Sequence, residues 1–460
     1  MSETAPALPP AGPSPGLSNL PPGPRGWPML GNLLAYRSDP LAFLTACARE
    51  HGYAVRIRLP GIRAVLLSHP ELIEQVLRGE HRNFKKDSIT RRTVSFLGQG
   101  LLTSEGEFWR RQRQLAQPAF QHGQIQGYGP VMTACVERLL AGWRPGELLD
   151  VHAEMSRLAL DIVARTLFDS DVAQEATEVR DSLEAVMRYF LNPAASWSGL
   201  GDWAPTPAAF RYRRAKRRLD AVILGMISRQ RAAEKAGSGL LSRLLAARDE
   251  RGQAMSDAEL RDELVTLFLA GHETTALALT YCFLLLARNP AAESRLVAEL
   301  NAVLGGRTPA AEDLPRLPFT EAVVKEAMRL YPPAWIVGRE AVVECRIGGY
   351  RIAPGTQLWM SQWVVHRDSR WYDGAEEFRP ERWLDELARR LPRCAYFPFG
   401  DGPRICIGAG FAMLEAVLAL AAIAQRFQLT LAADQTFALA PSITLRPKYG
   451  LKAIVHVRRS

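Results

Sequence analysis

Nowhere in the 460 residues do two cysteines form a Cys-x-x-Cys pair. The six present, Cys47, Cys135, Cys282, Cys345, Cys394 and Cys406, lie far apart. That spacing excludes a locally built zinc or iron–sulfur cluster and argues for thiols rather than a disulfide framework. Any cysteine chemistry therefore rests on one residue. Also missing is an uncharged apolar run of about 20 residues, the length that spans a bilayer. Leu264 to Ala287 is interrupted by His272 and Glu273, and Ala412 to Ala424 by Glu415. The N-terminus carries Glu3 and several prolines before any basic residue, unlike a signal peptide. These absences predict a cytoplasmic protein with no transmembrane anchor. No nucleic-acid motif accompanies the net charge of +9, so no nucleic-acid partner is expected. A solvated basic surface, an anionic surface or an acidic protein partner each accommodates that charge.

What is present is ordinary globular material, 47% hydrophobic and 23% charged. Residues 1–24 read as a flexible proline-rich lead-in, because Pro21-Pro22-Gly23-Pro24 suits neither a helix nor a central strand. Residues 25–460 read as a single domain. Ala54 to Leu59 and Ala64 to Ser68, separated by Pro60-Gly61, predict a hairpin. From Pro70 to about Leu330 the apolar spacing is helical, broken between Asn192 and Pro207. Beyond Pro332 come short strands and loops, including Ala341 to Tyr350, then a last helix from about Gly408 to Phe427 and a β-like tail. The fold class is mainly α with a smaller β-rich part.

One segment overturns the bland reading of an isolated cysteine. Residues 399–408 run Phe399-Gly400-Asp401-Gly402-Pro403-Arg404-Ile405-Cys406-Ile407-Gly408. Glycines let such a loop press against a flat surface, and turn amides can hydrogen-bond a sulfur. The positive end of a helix starting after Cys406 favours the thiolate. Phe399, Gly402, Arg404, Cys406 and Gly408 match Phe-x-x-Gly-x-Arg-x-Cys-x-Gly, and on these residues the chain resembles the cytochrome P-450 family, whose haem-binding signature this is. The resemblance is to the soluble bacterial branch. It implies haem b buried between a long distal helix and a proximal cysteine loop, with Cys406 as axial ligand of the iron.

Three further segments stand in the family's order. Ala270-Gly271-His272-Glu273-Thr274-Thr275 matches the family's distal-helix motif. The resemblance implies that small Ala270 and Gly271 leave room over the iron, while Glu273 and Thr274 guide protons to dioxygen. Glu326-Ala327-Met328-Arg329, with Arg382 further on, implies a Glu326–Arg329–Arg382 network of structural rather than catalytic role. Trp109 and Arg113 lie one helical turn apart, so both can reach a carboxylate. With Arg339 and Arg404 they are the expected propionate contacts.

The family's chemistry is monooxygenation: one atom of dioxygen enters a C–H or C=C bond of an apolar substrate. No dinucleotide fingerprint is evident, so electrons are expected from a ferredoxin or flavodoxin with its NAD(P)H-dependent reductase. Arg110 and Arg111 are candidate docking contacts. The resemblance puts Phe96, Phe268, Trp335, Ile336, Val337 and Ile443 on the pocket wall, with Trp197 and Trp203 nearby. Arg63 in the early hairpin is a weaker candidate for a substrate carboxylate. Fatty acids, terpenoids and steroids all remain open, and a monomer is expected. A peroxide-driven peroxygenase and a haem sensor are the alternative readings.

Overall fold

A computed structural model describes residues 20–168, 173–190, 205–232, 239–385 and 387–458. The lead-in up to residue 19, and the break carrying Trp197 and Trp203, lie outside them. After a short helix α1 (Leu33–Ser38) comes the expected hairpin, β1 (Ala54–Leu59) and β2 (Ile62–Leu67), with Leu59 opposite Ile62. It turns on Pro60-Gly61 and starts its second strand two residues earlier than the sequence pattern suggests. The sheet is completed by β3 (Phe84–Lys86), β4 (Val337–Ala341) and β5 (Gln357–Met360), in the order β1-β2-β5-β4-β3. Only the β2–β5 pairing is parallel. The stretch from Ala341 to Tyr350, expected among short strands and loops, holds the end of β4, a strand Cys345–Ile347 and the start of its hairpin partner Tyr350–Ile352. Gly348-Gly349, both at positive φ, make that turn.

The helical body is organised around α4 (Asp257–Arg288), 32 residues long. Before it come α2 (Gly106–Ala116) and α3 (Val151–Phe168). Ser256 opens α4 with a full capping box to Glu259, satisfying N–H groups that the helix leaves free. The helix is apolar almost all round because two separate cores meet on it. One holds Phe96, Leu115, Leu264 and Phe268; the other holds Leu277, Tyr281 and much of the C-terminal helix. Next come α5 (Pro318–Leu330), begun by proline and stopped before Pro332-Pro333, and α6 (Ala409–Arg426). By length and composition α4 and α6 would both cross a membrane, yet 72% and 61% of their most apolar stretches are buried inside the fold. The β-like tail pairs in a three-stranded sheet, with Lys452–Val457 between Leu148–Asp150 and Phe427–Leu431.

Candidate active site

The cysteine loop is held close to the rest of the chain by its backbone. Gly402 has φ +71, and any Cβ there would run into the carbonyl oxygen of Leu77. Only glycine meets both demands. The Cys406 N–H donates to Phe399 O across 2.9 Å, and Arg113 donates to Ile405 O across 2.9 Å. Cys406 is the one exposed cysteine, and the side it exposes lines a cavity of about 370 Å³. Burial among protein atoms pushes its thiol pKa up, while the Gly408 N–H, Arg113 and Lys86 oppose that shift.

On another wall of the same cavity α4 presents Ala270, Gly271 and Thr274. The Thr274 hydroxyl donates to Ala270 O at 2.6 Å. Gly271 has a second reason to be small: a Cβ there would sit 3.0 Å from a methyl of Val163, so it also sets how near α3 can lie. Glu273 turns elsewhere. Its Oε1 accepts from the Thr444 hydroxyl at 2.6 Å and is ion-paired with Arg446. Burial alone would raise its pKa, but Arg446 and Thr444 outweigh burial and hold the carboxyl below its ordinary value. His272, beside it, is pushed down to about 4 by burial.

The third feature is a cluster of cations. Arg113, Arg339 and Arg404 all line the cavity, with Trp109. The Arg404 guanidinium lies 4.3 Å over the Trp109 ring, donates to Ser104 O at 2.9 Å and pairs with Glu105. Sequence reasoning missed a fourth member, Lys86. The register of β3 on β4 sets Lys86 directly opposite Arg339. Burial lowers Lys86 to about 7 and Arg339 to about 10; Arg339 and Arg404 depress Lys86 further, and Arg404 depresses Arg339. Like charges facing each other across strands destabilise a sheet unless an anion joins them. A three-residue strand carries no local signal that could have announced Lys86.

Not every expected residue reaches the cavity. Of the six expected pocket residues only Val337 lines it, while Phe399, Gly408 and Cys406 do so from the loop. Phe96 and Phe268 are fully buried in the core beside α4, because they sit on the helix-packing side rather than the cavity side. Trp335 is buried against the hairpin side of the sheet, with its indole N–H on Ser442 O at 2.8 Å. Ile336 packs against the same cluster, and Ile443 is 36% exposed on the surface. The wall is instead furnished by Leu101, Leu102, Leu267, Ala334 and Met328. Arg111, expected at a docking surface, is engaged by Asp249 and Glu259, and Arg110 by Glu107. Arg63 is exposed near the turn of the hairpin and does not line the cavity.

Away from the cavity, Glu326 is completely buried and takes two hydrogen bonds from Arg329, both 2.9 Å. Arg382 adds a third at 2.9 Å, and the Trp383 indole a fourth at 2.8 Å. Arg329 also donates to the carbonyls of His366, Ala375 and Glu377. Such satisfaction is what allows a charge group in a core. The network thus staples α5 to the chain that leads into the cysteine loop.

The family model for cytochrome P450 matches residues 21–452. The chain belongs to the cytochrome P450 family. Cyclooctatin synthase of Streptomyces melanosporofaciens is 41% identical over 409 residues, covering 88% of this chain and 89% of that protein. Pentalenene oxygenase of Streptomyces avermitilis is 36% identical, covering 94% of each. The crystal structure of the cytochrome P450DA heme domain superposes with a TM-score of 0.87 at 27% identity, covering 95% of this chain and 98% of that one. The P450 fold and a monooxygenase-type oxidoreductase activity follow for this chain. The cofactor of the family is haem b, and the residues fit it. A thiol on one wall suits the iron, and the facing pair Lys86 and Arg339, with Arg113 and Arg404, suits two propionates.

Proposed function

We propose that this P450 hydroxylates or epoxidises an unsaturated hydrocarbon of terpenoid kind, with Cys406 as the residue that would ligate its haem iron. The observation that carries the reading is one cavity lined by Cys406 from the loop, Thr274 from α4 and four cations. Bound haem supplies thiolate-supported activation of dioxygen, for which two electrons and two protons are consumed and one oxygen atom leaves as water. The chain's own residues do the rest. Lys86, Arg113, Arg339 and Arg404 would hold the two propionates by charge-assisted hydrogen bonds. The Gly408 N–H stabilises negative charge on the Cys406 sulfur. Ala270 leaves room beside Thr274, whose hydroxyl can hold a proton at the cavity wall. Glu273, ionised and held by Thr444 and Arg446 away from the cavity, fixes this stretch of the helix to the C-terminal tail.

The apolar lining of Leu101, Leu102, Leu267, Val337 and Met328 favours a hydrocarbon over a carboxylate-bearing substrate, since among the described residues the cations lining the cavity are the four assigned to the propionates. Pentalenene, by its name an alkene, is the substrate named for one relative. A ferredoxin or flavodoxin with its NAD(P)H-dependent reductase is the proposed electron source for a cytoplasmic monomer, with residues 25–460 acting as one domain. The test is turnover of alkene hydrocarbons with ferredoxin, reductase and NADPH. A product heavier by one oxygen is expected. A Cys406→Ser variant that kept a thiolate-type spectrum would overturn the ligand assignment.

A further inference from the structure

We propose that the turn before α1 docks the enzyme on an anionic lipid bilayer. The feature is the run Trp27-Pro28-Met29-Leu30, which occupies the tip of a tight turn. Trp27 is 69% exposed, Met29 96%, Leu30 40% and Leu34, at the start of α1, 55%. Large apolar side chains exposed singly are common, but a contiguous group marks an interaction site. An indole beside aliphatic side chains is the composition that settles at a membrane interface.

The tip is ordered before any partner arrives. Trp27 and Gly31 exchange two backbone hydrogen bonds of 2.9 Å, and Leu30 N–H donates to Pro28 O at 2.8 Å. Asn32 then ties the turn to β1: its N–H donates to Arg58 O at 2.7 Å, and its Oδ1 accepts from Arg58 N–H at 3.0 Å. Gly31 lies so near β1 that a Cβ would collide with the Arg58 carbonyl oxygen. Met29 has φ +63, in the left-handed region that a side chain of its size seldom adopts. The fold thus holds a strained backbone and an almost fully exposed methionine at one point, a combination found where strain serves a function.

Charge decides which surface fits. Arg25 precedes the turn, Arg37 lies one helical turn after Leu34 on the same side of α1, and Arg58 faces Arg63 across the hairpin. All four are exposed, and none has an ion-pair partner among the described residues. The backbone contacts above place Arg58 beside Gly31. An apolar tip ringed by free arginines matches anionic headgroups over acyl chains. A second copy of this chain would bring the same four cations against one another. Docking would also place the enzyme where an apolar substrate concentrates.

The test is flotation of the full-length, haem-loaded protein with vesicles. Equal parts of phosphatidylglycerol and phosphatidylcholine should carry the protein up, and pure phosphatidylcholine should not. Trp27→Ser/Met29→Ser should weaken partition about tenfold, and Arg58→Gln/Arg63→Gln by at least about fivefold, since each cation near such a surface contributes about that factor. Tyr449→Ser, which removes another exposed aromatic, should change nothing. These positions are exposed, so haem content and turnover of a dissolved substrate should stay at the wild-type level in every variant. Equal flotation of wild type and both double variants would overturn the proposal. So would retention on polyglutamate without vesicle binding, which would indicate an acidic protein partner. Loss of a dimer in the Trp27→Ser/Met29→Ser variant without vesicles would instead point to self-association and overturn it equally.

Discussion

The hydroxyl of Thr444 donates to Oε1 of Glu273 across 2.6 Å, joining the middle of the longest helix to the C-terminal tail 171 residues later. Arg446, two residues on, is ion-paired with the same oxygen. The acidic residue of the distal-helix motif is therefore held from outside its own helix.

That arrangement gives a pH-dependent prediction. Glu273 has its carboxyl pKa depressed in the folded state, so its contribution to stability is present above the ordinary carboxylate value and is lost as pH falls through the folded one. Arg446→Leu should therefore cost about 1–3 kcal/mol at pH 7 and less at pH 3. Urea unfolding at the two pH values measures the difference. Equal losses at both would mean that Arg446 acts by packing alone.

Glu263 should behave in the opposite sense. Burial raises its carboxyl to about 8, although it accepts the Leu101 N–H at 3.1 Å. A folded pKa above the unfolded one means that stability is greatest at low pH and declines as pH rises from about 4.5 to about 8. Glu263→Gln keeps an acceptor for Leu101 and removes the charge. Its melting temperature should match wild type at pH 4 and exceed it at pH 8, by a margin of up to about 5 kcal/mol in free energy. A margin independent of pH would show that Glu263 is not being protonated on folding.

Arg329 offers a test of structural versus catalytic roles. It is fully buried and holds Glu326 by two bonds while meeting three carbonyls. Lysine lacks the planar fork needed to replace these bonds. Arg329→Lys should lose about 3–5 kcal/mol, seen as low haem content and a lowered melting temperature. Molecules that retain haem should turn over substrate at close to the wild-type rate per haem.

Two apolar substitutions separate cavity from core. Val337→Phe fills space on the cavity wall and should weaken binding of a bulky hydrocarbon about tenfold, read by spectral titration, with stability nearly unchanged. Phe268→Ala, in the packed core, should cost about 3–5 kcal/mol of stability and leave ligand affinity close to wild type. The reverse pattern would restore Phe268 to the pocket wall.

Much of this protein is legible in its residues alone. The fold class, the hairpin, the last helix and the cysteine loop all rest on short-range chemistry: glycine where a loop must press close, proline where a helix must start or stop, apolar spacing along a helix. The partnership of Glu326 with Arg329 is local as well, one turn apart on α5. The rest was decided by tertiary contacts between residues far apart in the chain. Lys86 meets Arg339 only through strand register, and Glu273 meets Arg446 only when the tail folds back. Phe96 and Phe268 are apolar whether they line a pocket or fill a core; composition cannot tell the two apart. Which side of α4 faces the cavity is set by how α3 and the N-terminal loops pack on it, and that packing, not residue type, decides which side chains a substrate can touch.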